Sequence, residues 1–109
     1  MFYNLVEFPY PSPEGLHVGH VFKYAGVDAY GGYQRMRGRQ VFQPIGFDAF
    51  GIHTEHYALK AAQHPRPLTA RTTEAFRKQL SEGGMAWEWS RCIDTSQPGY
   101  YRWYRAEAK

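Results

Sequence analysis

The spacing of apolar positions changes several times along the chain, and each change predicts a different element. Residues 2–8 are mostly aromatic or β-favouring and stop at Pro9, which predicts a buried strand. From residue 17 to residue 36, apolar side chains recur at the helical spacing of about 3.6 residues, which predicts a helix. The stretch "QVFQPIG" over 40–46 predicts a second short strand that runs into a turn.

The rest of the chain is predicted to be mainly helical. The expected elements are helices over 49–62, 69–82 and 97–108 and a brief strand over 91–94. The first of these helices should stop before Pro65, because a residue that precedes proline disfavours helical backbone. The next should end at the glycine pair that begins with Gly83. Strands that alternate with helices favour an α/β unit, with parallel strands joined by right-handed crossovers.

Size and composition agree with one globular domain or part of one. The chain has 109 residues, of which 43% are hydrophobic and 21% charged, and these proportions argue against disorder. Thirteen Lys and Arg residues against ten Asp and Glu residues leave a formal charge of +3. This mild excess permits a polyanionic partner but does not require one.

The single cysteine and the hydropathy pattern indicate in which cellular compartment the protein is expected. Cys92 has no second cysteine to pair with, so an internal disulfide is impossible and a reducing compartment is expected. No apolar run reaches the roughly 18–20 residues that cross a bilayer. The first ten residues lack the pattern of a secretory signal. We therefore expect a cytoplasmic protein with no membrane partner.

The predicted topology places two loop segments at one edge of the sheet. Ligands of parallel α/β sheets lie outside the carboxyl ends of the strands, beside helix N-termini. The first predicted strand ends near Phe8 and the second near Ile45. The segments that follow these strands, 8–20 and 44–51, are therefore expected to meet at the same rim.

Four residues in these segments could bind a ligand with both negative and positive groups. His17 and His20 are three residues apart at a predicted helix N-terminus, where unpaired N–H groups suit phosphate. Their ring N–H groups could donate to a polyphosphate. Gly19 would let a flat ring such as a nucleobase approach the backbone, and the Asp48 carboxylate would suit an ammonium group. Together these features fit ATP beside an amino acid.

Each of these features also has a simpler explanation. The histidine pair could be two surface residues, and a metal site is less favoured because no third ligand follows at a convincing spacing. Asp48 could cap the helix that follows it. Phe8 and Tyr10 could belong to the core, and the basic run over 35–39 could be a solvated surface.

The motifs taken together resemble a known enzyme family. The stretch "EFPYPSPEGLHVGH", followed by "YQRMRGRQVFQPIGFDAFG", resembles the N-terminal part of class I aminoacyl-tRNA synthetase catalytic domains. The likeness is greatest to the leucyl-tRNA synthetases, whose pocket-forming segments "FPYPS" and "GFDAFG" match. The residues 17–20 match the H-x-G-H motif for ATP. The resemblance continues through "EHYALKAAQHP", "FRKQL" and "WEWSRCIDTSQPGYYRW", so it covers nearly all of the chain.

This resemblance implies a fold. Residues 1–109 would be the N-terminal part of a catalytic domain, forming the first half of a Rossmann-like, HUP-type nucleotide-binding fold. The second half with its K-M-S-K-S loop, the editing domain and the anticodon-binding domain lie outside the sequence, so the remainder of the catalytic domain is an expected partner. Half of such a fold should expose apolar surface. Whether the chain is a gene fragment or a standalone protein stays open.

The resemblance also implies an activity and a set of site residues. The activity would be ATP-dependent conversion of leucine to leucyl-adenylate, then transfer to tRNA(Leu), with Mg²⁺ bound mainly by phosphates and water. DNA is not an expected partner. The implied site residues are His17, Gly19 and His20 for ATP, with both histidines catalytic, and Phe8, Tyr10 and Asp48 for leucine.

The chain departs from the family pattern beside this site. Pro13 stands where glycine is usual, which stiffens the loop before the histidines. Ile52 and His53 stand where leucine and proline are common, so the turn after "DAFG" loses a rigid residue and gains a titratable one. Phe47 replaces a frequent tryptophan.

Two other functions remain open at this point. The chain could be a catalytically silent binding module derived from a synthetase, which binds ATP, tRNA or a protein. It could also belong to a related isoleucyl, valyl or methionyl enzyme. The pairing of "FPYPS" with "GFDAFG" argues against this last possibility.

Overall fold

Short parallel strands alternate with helices, as the pattern predicts for an α/β unit. The structure, a computed structural model, describes residues 1–107. Its elements are β1 (Phe2–Tyr3), α1 (Val18–Met36), β2 (Val41–Phe42), β3 (Gly46–Phe47), α2 (Ile52–Lys60), α3 (Pro65–Glu82), a 3₁₀ turn (Trp89–Arg91), β4 (Ile93–Asp94) and α4 (Pro98–Glu107).

The strands are shorter than predicted, and they form two parallel pairs. β1 pairs with β2, and β3 pairs with β4. The strand predicted over 2–8 ends at Tyr3, and the chain beyond it continues as a loop. The strand predicted over 40–46 is divided into β2 and β3, with Pro44 between them. Proline has no N–H to contribute to a strand ladder, which accounts for the break.

The helices follow the predicted pattern with different ends. α1 begins at Val18, one residue after the predicted start, and ends at the predicted residue. α2 is shorter than the predicted 49–62, and α3 begins at Pro65 instead of residue 69. Proline fits the first helical turn, where its missing N–H costs nothing. The predicted last helix includes residue 108, which lies outside the described residues. No helix within residues 1–107 is long and apolar enough to cross a membrane.

A small aromatic and aliphatic core joins α1, α3 and the start of the second strand pair. Its buried members are Tyr24, Ile45, Phe47, Phe76, Leu80 and Trp87. The ring of Tyr24 meets the edge of Trp87 at a centroid distance of 5.6 Å. This core lies directly behind the first turns of α1, so it fixes the helix N-terminus relative to β3.

A buried polar network sets the position of α1 against the first strand pair. The Asn4 amide donates to the Val27 carbonyl and to Oε1 of Gln43, both at 2.8 Å. The Gln43 amide donates in turn to the Asp28 carboxylate at 2.9 Å. A side chain at Gly31 would collide with Gln43, so glycine inside this helix lets β2 approach closely.

One face of α1 carries apolar side chains with little cover from the described residues. Val18, Phe22 and Met36 are 84%, 83% and 82% exposed. Their spacing of four and fourteen residues keeps them on one side of the helix. The apolar exposure expected of half a nucleotide-binding fold is therefore present.

Candidate active site

The two loop segments meet at one edge of the fold, as the topology predicted. The backbone N–H of Asp48 donates to the Pro9 carbonyl at 3.0 Å. The Phe8 ring packs on Gly46, where an added Cβ would lie only 2.7 Å from the ring. Glycine at position 46 therefore lets the loop after β1 lie against β3.

His17 and His20 form a reciprocal cap at the N-terminus of α1. His17 is the N-cap residue, and its Nδ1 accepts from the backbone N–H of His20 at 3.4 Å. The Nδ1 of His20 accepts from the backbone N–H of His17 at 3.3 Å. The two rings stack with centroids 3.8 Å apart. The His20 N–H is shared with the His17 carbonyl at 3.0 Å, and the His17 N–H is satisfied by the His20 ring, as in a capping box.

The cap determines which ring atoms remain for a ligand. Because each Nδ1 accepts a hydrogen bond, the proton of each neutral imidazole is assigned to Nε2. The pair therefore offers two Nε2–H donors at the helix terminus. Sequence reasoning found the shared face of His17 and His20 but missed the cap, although the spacing of three is that of a capping box.

Burial keeps the His20 ring neutral. Its pKa is lowered from the usual value near 6.5, first by burial and then by the nearby His17 and Lys23, while Glu7 opposes the shift. The ring meets the edge of Phe76 at a centroid distance of 5.9 Å. At neutral pH, His20 therefore offers a hydrogen-bond donor without a full positive charge.

A surface ion pair lies beside the histidine turn. The ammonium group of Lys23 is 2.5 Å from the Glu7 carboxylate and 4.7 Å from the centroid of the Tyr24 ring. The hydrogen bond from Lys23 lowers the pKa of the Glu7 carboxyl. Lys23 therefore lies close enough to the histidine turn to lower the pKa of His20, and sequence reasoning did not select it.

Gly19 is required by the shape of the turn itself. A Cβ at this position would lie 3.0 Å from Cε1 and 3.1 Å from Nδ1 of His17. Any side chain would therefore press on the His17 ring. Gly19 is itself exposed, and the approach of a flat ring to its backbone stays a prediction.

The loop before His17 is held by α3. Gly15 adopts a positive φ of 81°, which favours glycine, and its amide donates to the Ser12 carbonyl at 3.1 Å. The next amide, of Leu16, donates to Oε1 of Gln79 at 2.9 Å. Gln79 is 63 residues away in sequence, so no local signal could have identified it.

Asp48 presents a free carboxylate at the rim. It is exposed and directly follows β3. Among residues 1–103, whose side chains the structure describes, no hydrogen bond or ion pair is made to the Asp48 carboxylate. The N-cap of α2 is Gly51, so the alternative in which Asp48 caps that helix is wrong. The carboxylate is therefore available to a cationic group.

Tyr10 bridges the proline-rich loop and α2. Its hydroxyl accepts from the backbone N–H of Thr54 at 2.8 Å and donates to the Gly51 carbonyl at 3.4 Å. The Tyr10 and His53 rings are nearly perpendicular, with their centroids 6.3 Å apart. Tyr10 and Phe8 are both half-buried, so each combines packing with an exposed part at the rim.

Known proteins match nearly the whole chain. Residues 5–100 match the family described as tRNA synthetases class I (M). A leucine–tRNA ligase from Amoebophilus asiaticus is 46% identical over 102 residues, which is 94% of this chain and 11% of that protein. One from Alkaliphilus oremlandii is 48% identical over 102 residues, which is 94% of this chain and 13% of that protein.

A solved structure matches the fold as well. In the ternary complex of Agrobacterium radiobacter K84 agnB2 LeuRS, tRNA and LeuAMS, the matched region has a TM-score of 0.85 and 32% identity. It covers 97% of this chain and 14% of that chain. The chain thus spans between 11% and 14% of the length of these relatives.

Proposed function

The chain belongs to the class I tRNA synthetases, and we propose that it supplies the ATP-binding and leucine-binding half of a leucine–tRNA ligase active site. The identity of 46–48% to two leucine–tRNA ligases supports the choice of amino acid. In this proposal the chain is the first half of a HUP-type nucleotide-binding fold, and the remaining half comes from the rest of the catalytic domain.

The proposed reaction has two steps. The leucine carboxylate attacks the α-phosphorus of ATP, which forms leucyl-adenylate and releases pyrophosphate. The leucyl group then passes to the terminal ribose of tRNA(Leu), and AMP leaves. Attack by a carboxylate on a phosphate requires little covalent assistance, so positioning and stabilisation of charge supply most of the acceleration.

The histidine turn would bind the ATP phosphates. Two Nε2–H donors and the terminal N–H groups of α1 would face negative charge that shifts toward pyrophosphate as the bond breaks. Because His17 and His20 are fixed by the reciprocal cap, the donors need no rearrangement when that charge develops. This preorganised pair of donors at the N-terminus of α1 is the observation that carries the proposal.

The other side of the rim would bind leucine. Asp48 would pair with the ammonium group, and Phe8 and Tyr10 would line the space for the side chain. An ion pair with the ammonium group gives affinity for every amino acid, whereas selection of leucine depends on the shape of the pocket. The two tasks are therefore assigned to different residues.

Mg²⁺ would enter with ATP. Among the side chains that the structure describes, those of residues 1–103, no group of three or more His, Cys, Asp and Glu residues could hold a metal ion. Oxygen ligands from phosphates and water suit Mg²⁺, so it is treated as part of the nucleotide substrate.

Exchange of pyrophosphate into ATP tests this function in the complete enzyme, with leucine, isoleucine and valine compared. We expect leucine to support exchange best. Asp48→Asn keeps the shape and removes the charge, so it should raise the KM of all three amino acids by a similar factor. Asp48 is exposed in the described chain, and loss of one partner from an exposed ion pair costs about 0.2–1 kcal/mol. Unchanged KM values would remove Asp48 from the site, and preference for isoleucine or valine would indicate a related synthetase.

A further inference from the structure

The loop after β1 and the start of α2 are joined by a partly buried contact, here called the Tyr10–Thr54 clasp. The Tyr10 hydroxyl accepts from the Thr54 backbone N–H at 2.8 Å and is also in close hydrogen-bonding contact with the Thr54 hydroxyl. Either of the two hydroxyls can be the donor in this contact. Thr54 is only 4% exposed.

The clasp replaces a helix cap. The N-cap residue of α2 is Gly51, which has no side chain to accept from the first N–H groups of the helix. Thr54 is the third residue of α2, and a capping side chain normally accepts from the second or third N–H. Tyr10 supplies that acceptor from 44 residues away. A side chain at Gly51 would collide with the Tyr10 ring, so glycine is required for this approach.

The segment 48–51, which carries Asp48, is held by hydrogen bonds at both of its ends. On one side, the Asp48 N–H donates to the Pro9 carbonyl at 3.0 Å, and the Ala49 N–H donates to the Thr95 hydroxyl at 2.9 Å. On the other side, the clasp holds the carbonyl of Gly51 and the first turn of α2. The backbone over 48–51 is thereby held while the side chain of Asp48 stays exposed.

We propose that Thr54 is a positioning residue for the amino-acid site, acting through the Tyr10 hydroxyl on the segment that presents Asp48. This inference rests on the proposed function for the identity of the ligand, an α-amino acid. Thr54 itself does not touch the ligand. The Tyr10 hydroxyl is already occupied by the clasp, so Tyr10 contributes its ring, and not its hydroxyl, to the pocket.

Kinetics of pyrophosphate exchange in the complete enzyme test the positioning role. Tyr10→Phe removes the whole clasp and should raise the KM for leucine about three- to thirtyfold, as expected for loss of a helix cap. Thr54→Val removes one hydroxyl and should raise this KM about threefold, while Thr54→Ser should restore it. In the Thr54 variants the KM for ATP and kcat should stay unchanged, because Thr54 touches neither the ligand nor the histidine turn.

A matched control separates this effect from the general loss of a buried hydroxyl. The Thr72 hydroxyl is also buried, but it donates to the Thr69 carbonyl within α3 at 3.0 Å. Thr72→Val should therefore leave the KM for leucine at the wild-type value. An equal increase in the KM for leucine in Thr72→Val and Thr54→Val would overturn the positioning role of Thr54.

Hydrogen exchange at the start of α2 tests the clasp independently of catalysis. Mass spectrometry of the same protein should show faster exchange of peptides containing Thr54 in Tyr10→Phe. Unchanged exchange would overturn the clasp itself. Faster exchange with an unchanged KM for leucine would overturn its role in positioning Asp48. If the unsubstituted enzyme showed no leucine-dependent activity, the proposed function would fail and the positioning role with it, whatever the exchange data showed.

Discussion

At the scale of single residues, the histidine turn combines structural and chemical tasks. Nδ1 of His17 and of His20 caps α1, and the opposite nitrogen of each ring remains as a donor. Both tasks require a ring with two nitrogens at fixed positions, which explains why histidine serves at both positions. Gly19 completes the turn because it leaves room for the His17 ring.

Two glycines of α1 provide a matched test of this geometry. Gly19→Ala should displace the His17 ring and raise the KM for ATP about tenfold, since a misplaced catalytic group costs up to about a hundredfold. At Gly26, nothing lies within 4 Å of an added Cβ, so Gly26→Ala should raise the Tm and leave the kinetics unchanged. Steady-state kinetics and thermal unfolding of both variants check this. Equal KM values for ATP in the two variants would contradict the proposed effect of Gly19 on the His17 ring.

At the scale of elements, helices were easier to predict than strands. α1 follows from its apolar spacing, because that spacing is a local property of the sequence. The strands are only two residues long, and their bounds depend on partners more than thirty residues away. The start of α2 was misplaced for a similar reason: Tyr10 supplies the cap from another part of the chain.

In the candidate site, the meeting of the two segments could be predicted from the sequence, whereas the contacts that hold them could not. Topology predicted that the loop after β1 would meet the segment carrying Asp48, because strand ends in parallel sheets share an edge. The supporting contacts of Gln79 and Thr54 involve residues 63 and 44 positions from their partners. No local pattern marks such contacts, so the sequence alone could not show what holds the site in place.

The reciprocal cap of α1 predicts a pH dependence of stability. Since the pKa of His20 is lower in the folded chain than its usual value near 6.5, the unfolded chain binds the proton more readily. The stability contributed by neutral His20 is therefore present above pH 6.5 and is lost as the pH falls through the folded pKa. His20→Gln keeps a capping side chain and removes the titrating group.

Thermal unfolding at pH 8 and pH 5 checks this prediction. The Tm of the wild type should fall more between the two conditions than the Tm of His20→Gln. Glutamine preserves the cap acceptor, so the two proteins should have similar Tm values at pH 8. An identical dependence of Tm on pH in both proteins would show that His20 does not titrate as described.

At the scale of the whole molecule, the chain is extended and flat. The radius of gyration is 15.5 Å, compared with about 13 Å expected for a compact domain of this size. The principal extents are 51, 36 and 19 Å. Together with the exposed apolar face of α1, these dimensions indicate a chain that needs a further surface to cover it.

The isolated chain should therefore self-associate. Sedimentation velocity should show a mean mass that rises with concentration. Phe22→Glu places a charge in the exposed apolar face of α1 and should shift the distribution toward monomer. Ser81→Glu adds the same charge at an exposed polar position on α3 and serves as the control. A sharp, concentration-independent unfolding transition of a monomer would contradict this expectation.

The central claim is that the turn over 17–20 binds ATP beside the leucine site. Leucine-dependent exchange of pyrophosphate into ATP by His20→Ala, in the complete enzyme, tests it most directly. The control is Val21→Ala, a substitution at the exposed residue that follows His20 in the same helix. Removal of one donor from a transition-state site should lower the rate of His20→Ala by about 10²–10³, with Val21→Ala near wild type. A rate for His20→Ala equal to that of the control would contradict the assignment of this turn to ATP.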